Sequence, residues 1–240
     1  MHKIIVLTPF YNESHNLKNF EKLIKNFKEL DIDFKFFLCN DKSSDDSPRK
    51  LKLLLSQYKF NFEILNNSKN LGHGKSLIQL SKSEEINDFD FVLTLDFDFG
   101  YFYENLNNVL NALNMDTIFI GERKSFDEGL FRQFITSVSE LIILLKTFKY
   151  FHDTNCPIRI YPTEVFLEIW KKIPRETLIP NIFGTYLVIK RSYKFQRFAL
   201  INDKTMSSDP VSWGSNIILK KVKILKFSTK SMFQLLKFKN

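Results

Sequence analysis

The chain has 240 residues, 44% apolar and 26% charged, which is enough to bury a sizeable core and ordinary for a soluble globular protein. Its two cysteines, Cys39 and Cys156, exclude a disulfide framework, and their spacing matches no zinc pattern. The net charge of +8 is unevenly placed, with seven Lys and no Asp or Glu between Pro210 and Asn240.

In chain order, Lys3–Thr8 is a short apolar run that reads as a buried strand. Leu17, Phe20, Leu23, Ile24, Phe27 and Leu30 follow at helical spacing, predicting a helix over Asn16–Leu30. Phe34–Asn40 is a second strand, and Ser47-Pro48 opens a helix with a capping residue and a proline in its first turn. Phe60–Leu65 is a third strand, then a Gly-containing polar loop and a helix from about Lys75. Phe91–Leu95 and Thr117–Gly121 complete five strands. The second half is less regular, with a long helix over Leu130–Lys149, a polar stretch at Asp153–Arg159, a helix near Thr163–Lys172 and a strand at Tyr193–Leu200.

Alternating strands and helices predict an α/β fold, Rossmann-like, with a mostly parallel sheet covered on both faces. Ligands of such sheets sit outside the carboxyl ends of the strands. Four polar clusters fall there: Pro9–Glu13, Asp41–Asp46, Asn66–Gly74 and Asp96–Asp98. One crevice built from four loops is the expected site, in a single domain over 1–240.

No signal-peptide pattern precedes the first strand, and the longest apolar run, Leu141–Leu145, is far too short to span a bilayer. A cytoplasmic protein is expected. The C-terminal segment, about 216–240, interleaves Ile224, Leu225, Phe227, Phe233 and Leu236 with lysines. Such a basic amphipathic stretch suits an anionic membrane surface, and equally the solvated face of a final helix. Nucleic acid is the less favoured anionic partner.

The sharpest local feature is Leu93-Thr-Leu-Asp-Phe-Asp-Phe-Gly100. On an extended strand Asp96 and Asp98 share one face and converge on one cation. Mg²⁺ or Mn²⁺ favours one or two carboxylates plus phosphate oxygens, which suits a diphosphate leaving group. Two solvated acids capping a helix is the plainer alternative. Asp98-Phe-Gly100 also spells a kinase metal motif, but its companion motifs are absent. Gly72-His-Gly-Lys-Ser76 fails as a phosphate-binding P-loop, because Lys69 stands where that motif needs Gly.

Taken together, Val6–Glu13, Asn40–Ser47, Asn70–Ser76, Leu95–Asp98, Gly121–Arg123 and Asp153–Arg159 occur in a telling order and spacing. The chain resembles family 2 glycosyltransferases of the GT-A fold over roughly residues 3 to 165. The branch it most resembles contains dolichyl-phosphate mannose synthase and bacterial polyprenyl-phosphate relatives. The resemblance implies that Thr8, Pro9, Asn12 and Glu13 line the nucleotide pocket, with Glu13 near the ribose. It implies that Asp41 bonds the base and that Asn70, Gly72 and Lys75 pass close to the nucleotide. Asp96 would face the ribose or sugar, and Asp98 would ligate Mg²⁺ or Mn²⁺. Arg123 and Arg132 match positions holding phosphate groups, a task suited to a guanidinium's planar fork of donors. Asp153 and Arg159 match a segment lining the donor sugar or acceptor; a turn-forming Asp and a salt-bridged Arg is the competing account. Pro157 stands where the family carries Gly, and Ser208–Ser215 matches the branch's closing motif only in outline.

A sugar hydroxyl acceptor must lose a proton during attack and so needs a general base, whereas a phosphate is already ionised. Between Lys171 and Tyr186 the only acid is Glu176, beside Arg175. That scarcity, Arg123, Arg132 and the basic tail point to inverting transfer onto a polyprenyl phosphate. The alternative is elongation of a surface or lipid-linked glycan at a sugar hydroxyl, with Glu176 or Asp209 as base.

Overall fold

The computed structural model describes residues 2–124, 129–203 and 229–238, and for residues 129–135 the backbone alone. Seven strands form one sheet: β1 (His2–Phe10), β2 (Ile32–Asn40), β3 (Asn61–Asn66), β4 (Phe91–Thr94), β5 (Ile118–Arg123), β6 (Arg159–Pro162) and β7 (Phe195–Leu200). The helices are α1 (Leu17–Lys28), α2 (Ser47–Gln57), α3 (His73–Leu80), α4 (Glu104–Asn111), α5 (Gly129–Thr147), α6 (Thr163–Trp170) and α7 (Pro180–Lys190). A further helical stretch covers residues 229–237.

The strand order is β3-β2-β1-β4-β6-β5-β7. All neighbouring pairs are parallel except those of β6, which runs antiparallel to β4 and β5. β1 shows why the chain builds this sheet. Ile4 and Val6 enter a core that includes Phe20, Ile24 and Leu51 from α1 and α2, while Ile5 and Leu7 enter another with Phe166, Phe183 and Leu187 from α6 and α7. A strand buried on both faces needs an unbroken apolar run, and Ile4-Ile-Val-Leu7 is one.

The mostly parallel, two-sided sheet agrees with the sequence reading, and three elements add to it. β6 is four residues long, starts on a buried Arg and ends on Pro, so it carries no strand pattern of its own. α7 is buried over its whole length from Pro180 to Ile189 and so lacks the apolar stripe that marks a surface helix. α4 is eight residues and buries only Leu106 and Leu110, one turn apart, a pattern the sequence reading passed over. Of the C-terminal segment only residues 229–238 are described; Asp209 and Ser208–Ser215 lie outside the described residues.

Candidate active site

The strand order reverses between β1 and β4, and β1 through β4 all run parallel, so their carboxyl ends open one crevice at the switch point. The four loops expected to converge there do so. The first two are stitched together by side-chain bonds to backbone amides. Asn12, at φ 56°, donates its N–H to Ser43 Oγ at 3.0 Å, and its Oδ1 accepts from Ser44 N at 2.8 Å. Glu13 N donates to Ser47 Oγ at 2.7 Å and Ser14 N to Asp45 Oδ2 at 3.0 Å. The third loop hangs from Asp41, which accepts at 2.8 Å from Leu71 N, Gly72 N and Asn67 Nδ2. Asn12 and Asp41, expected at the nucleotide, thus have a prior task in shaping the crevice.

At the end of β4, Phe97 and Phe99 are buried in the core, Asp98 is exposed and Asp96 is half-buried. Alternation therefore delivers the two acids to the crevice side while the phenyl rings anchor the segment from beneath, Phe97 stacked on Phe20 at 4.4 Å between centroids. Glu13 reports their charge. Burial first, then Asp98, Asp96 and Asp45, push its carboxyl up to about 7 against the opposing hydrogen bond from Asn16. Acids gathered closely enough to add to the proton affinity of Glu13 are charges that a divalent cation would offset, so the residues present fit Mg²⁺ or Mn²⁺. Among the described residues no three His, Cys, Asp or Glu side chains close into a cage, and a cation shared with phosphate oxygens requires none.

Two residues that sequence reasoning left without a role belong here. His73 Nε2 lies 2.8 Å from Asp96 Oδ1. Burial pulls the imidazole pKa down, but Asp96, and behind it Asp98 and Asp41, outweigh this and leave it raised. Tyr101 is mostly buried, which raises its phenol pKa, and its charged surroundings include Arg123, Asp96 and Asp153. It bridges to Asn202 and so lies between the β4 loop and the chain leaving β7. A lone His opening a short helix and one of eight tyrosines carry no pattern, so no sequence signal marked either.

Arg123, at the carboxyl end of β5, is gripped by Asp153. Nε and Nη2 donate to the two carboxylate oxygens at 2.9 and 2.6 Å, and the Arg123 N–H adds a third bond at 3.1 Å. Burial opposes the guanidinium charge, but Asp153 outweighs it and raises the pKa. Asp153 is itself fully buried, at φ 52°, with its N–H bonded to Glu140 at 2.8 Å. It is therefore a partner that aims Arg123 rather than a residue lining a sugar pocket.

Two expectations are corrected. Arg159 is 0% exposed, and its guanidinium donates to the carbonyls of Cys156 and Thr154 at 2.8 Å and to Thr185 Oγ1 at 2.9 Å. It clamps the Asp153 loop from below and cannot reach a ligand. Thr8 is also fully buried and Pro9 is buried beside it, so neither side chain lines the pocket. Asn70 is exposed at the rim, and Gly72 takes φ 88°, which a side chain rarely adopts. Lys75 bonds Glu176 across the crevice edge. Arg132 falls in α5 where side chains lie outside the described residues.

Known proteins share this architecture. Glucosyl-3-phosphoglycerate synthase from Mycobacterium tuberculosis, solved with Mn²⁺, UDP-glucose and phosphoglyceric acid, aligns over 98% of this chain and 79% of its own at TM-score 0.59 and 12% identity. Mannosyltransferase PcManGT from Pyrobaculum calidifontis, in complex with GDP-Man and Mn²⁺, aligns over 83% and 56% at TM-score 0.57 and 13% identity. S. aureus TarS 1-349 in complex with UDP-GlcNAc aligns over 98% and 70% at TM-score 0.54 and 20% identity. At such identities the likeness shows the fold, the GT-A arrangement expected from the sequence. Among curated proteins, undecaprenyl-phosphate 4-deoxy-4-formamido-L-arabinose transferase of Proteus mirabilis (strain HI4320) is 23% identical over 188 residues. That match takes in 78% of this chain and 57% of the relative's length, so the chain spans little more than half of it. The family model for glycosyl transferase family 2 matches residues 5–170, more than half of the chain and all four loops of the crevice, and the protein belongs to that family.

Proposed function

We propose that the protein transfers a sugar, with inversion, from a nucleotide-diphosphate sugar to a polyprenyl phosphate. The observation that carries this reading is the pairing of unlike charges around one crevice. Glu13, Asp96 and Asp98 gather negative charge at the β1/β4 switch, and Arg123 is fixed by Asp153 at the end of β5. Asp98, with Asp96, would hold Mg²⁺ or Mn²⁺, whose chemistry is to neutralise the diphosphate of the leaving nucleotide. The loop around Asp41, Asn70, Gly72 and Lys75 would meet the nucleotide, and Arg123 with Arg132 the acceptor phosphate. An oxygen of that phosphate attacks the anomeric carbon, the bond to the diphosphate breaks, and the nucleotide leaves with the electron pair. No proton has to be removed. Solved relatives bind UDP- and GDP-sugars, and the Proteus mirabilis relative is named for undecaprenyl phosphate, which supports the same reading.

Transfer to a sugar hydroxyl would need a base. Glu176 is poorly suited, because its hydrogen bond from Lys75 lowers its pKa. The test is a screen of UDP- and GDP-sugars with Mg²⁺ or Mn²⁺, with and without polyprenyl phosphate. Label should enter the lipid phase and fail to do so in Asp98→Ala. Label reaching only a soluble glycan would remove the lipid acceptor.

A further inference from the structure

The apolar run at 141–145 that is too short to cross a bilayer is also not wholly buried. Ile142 and Ile143 face the core, whereas Leu141 and Leu145 are 53% and 63% exposed. With Phe148 they are spaced i, i+4, i+7, one stripe along the outer face of α5 and over its end. Phe148 is 90% exposed at φ 56°, so the chain turns there with its ring held outward, and Tyr150 beside it is 65% exposed. Lys146 Nζ donates to the carbonyls of Leu236 and Phe238 at 3.1 and 2.8 Å, tying the 229–237 helical stretch to α5. That stretch shows Phe233 and Leu236, both more than half exposed, with Lys237 lying over the Phe233 ring at 4.2 Å.

Charge identifies what this face meets. Neither 141–150 nor 229–238 contains an acid, and Lys149, Lys230 and Lys237 are exposed among the apolar groups. Glu140, just before the stripe, is buried and turned to His152 and the Asp153 amide. Lys190 adds a positive charge near Lys146. Large apolar side chains fringed by lysines, with carboxylates only at the margin, Glu122 and Glu140 by Tyr150 and Glu176 by Lys230, match the head-group boundary of an anionic bilayer. A second copy of this face would bring lysines against lysines.

We infer that the outer face of α5, its Phe148 turn and the adjoining 229–237 stretch dock the enzyme on an anionic lipid surface. The inference extends the lipid-acceptor reading.

The full chain, without donor, should co-sediment with vesicles of phosphatidylglycerol and phosphatidylcholine, and less so with phosphatidylcholine alone or in high salt. Leu145→Ser with Phe148→Ser should lower the bound fraction about tenfold without changing the melting temperature. Leu53→Ser, at an exposed position on α2, should bind as wild type does. Failure of the wild type to sediment, or equal binding by the double variant, overturns the inference. So does a wild-type dimer that the double variant converts to a monomer with neither form binding vesicles. Docking without transfer to polyprenyl phosphate would leave the surface standing and remove the acceptor; transfer in detergent by a protein that never docks would do the reverse.

Discussion

Glu13 shows how a single residue reads its surroundings. Its carboxyl ionises at about 7 when folded against 4.5 when exposed, so the folded state binds the extra proton between those values. Its stabilising contribution is complete below the lower value and is lost as pH rises through the upper one. Glu13→Gln, which mimics the protonated group, should melt as wild type does at about pH 4 and above wild type at about pH 8. Equal melting curves at both pH values would show that neither burial nor the neighbouring acids hold the Glu13 carboxyl above its exposed value. Arg159 supplies the opposite case, a charge serving structure. Replacing it with Leu removes the guanidinium donors to the Cys156 and Thr154 carbonyls, leaving Thr154 only its bond from Thr185 Oγ1, and should cost about 3 kcal/mol in urea unfolding. Both residues sit in motifs that the sequence marked, yet only burial separates a ligand from a clamp. Asp96 and Asp98 stand out in the sequence as two acids one residue apart just after an apolar run, a local pattern; His73, the first residue of α3, does not, because its partner lies in a distant loop.

The loop between β3 and α3 lets the same distinction be made for an element. Gly72 at its end and Gly74 in the first turn of α3 are needed for different reasons. A Cβ on Gly72 would meet nothing within 4 Å, but φ 88° strains any side chain. A Cβ on Gly74 would lie 2.4 Å from the Leu178 carbonyl, a backbone atom with little room to retreat. Gly72→Ala should therefore cost about 1 kcal/mol, and Gly74→Ala about 1–3 kcal/mol with the α3 start displaced from the chain before α7. Denaturant midpoints rank the two, and the reverse order would refute the steric account. Two of the elements missed in sequence share one cause. β6 is defined by its neighbours β4 and β5, and α7 by burial on every side. Neither exposes a face to water, so neither has the periodicity that solvent imposes.

For the molecule as a whole, the proposed cation and nucleotide couple binding to stability. Mn²⁺ with UDP or GDP should raise the melting temperature, by the equivalent of about 2.7 kcal/mol at a hundredfold excess over Kd, and Asp98→Ala should abolish the rise. Nucleotide alone giving the full shift would remove the cation from the site. Among the described residues no helix is long and apolar enough to cross a membrane. What the sequence determined by itself was the sheet, its parallel sense and the four loops at one edge, since these follow from apolar runs and turn residues acting over a few positions. The tertiary structure alone decided that Asp153 and Arg123 form a pair, that Arg159 is buried and that His73 meets Asp96. Those outcomes depend on which distant segments share a strand edge, and β6, inserted backwards between β4 and β5, is what brings the Asp153 loop to the crevice.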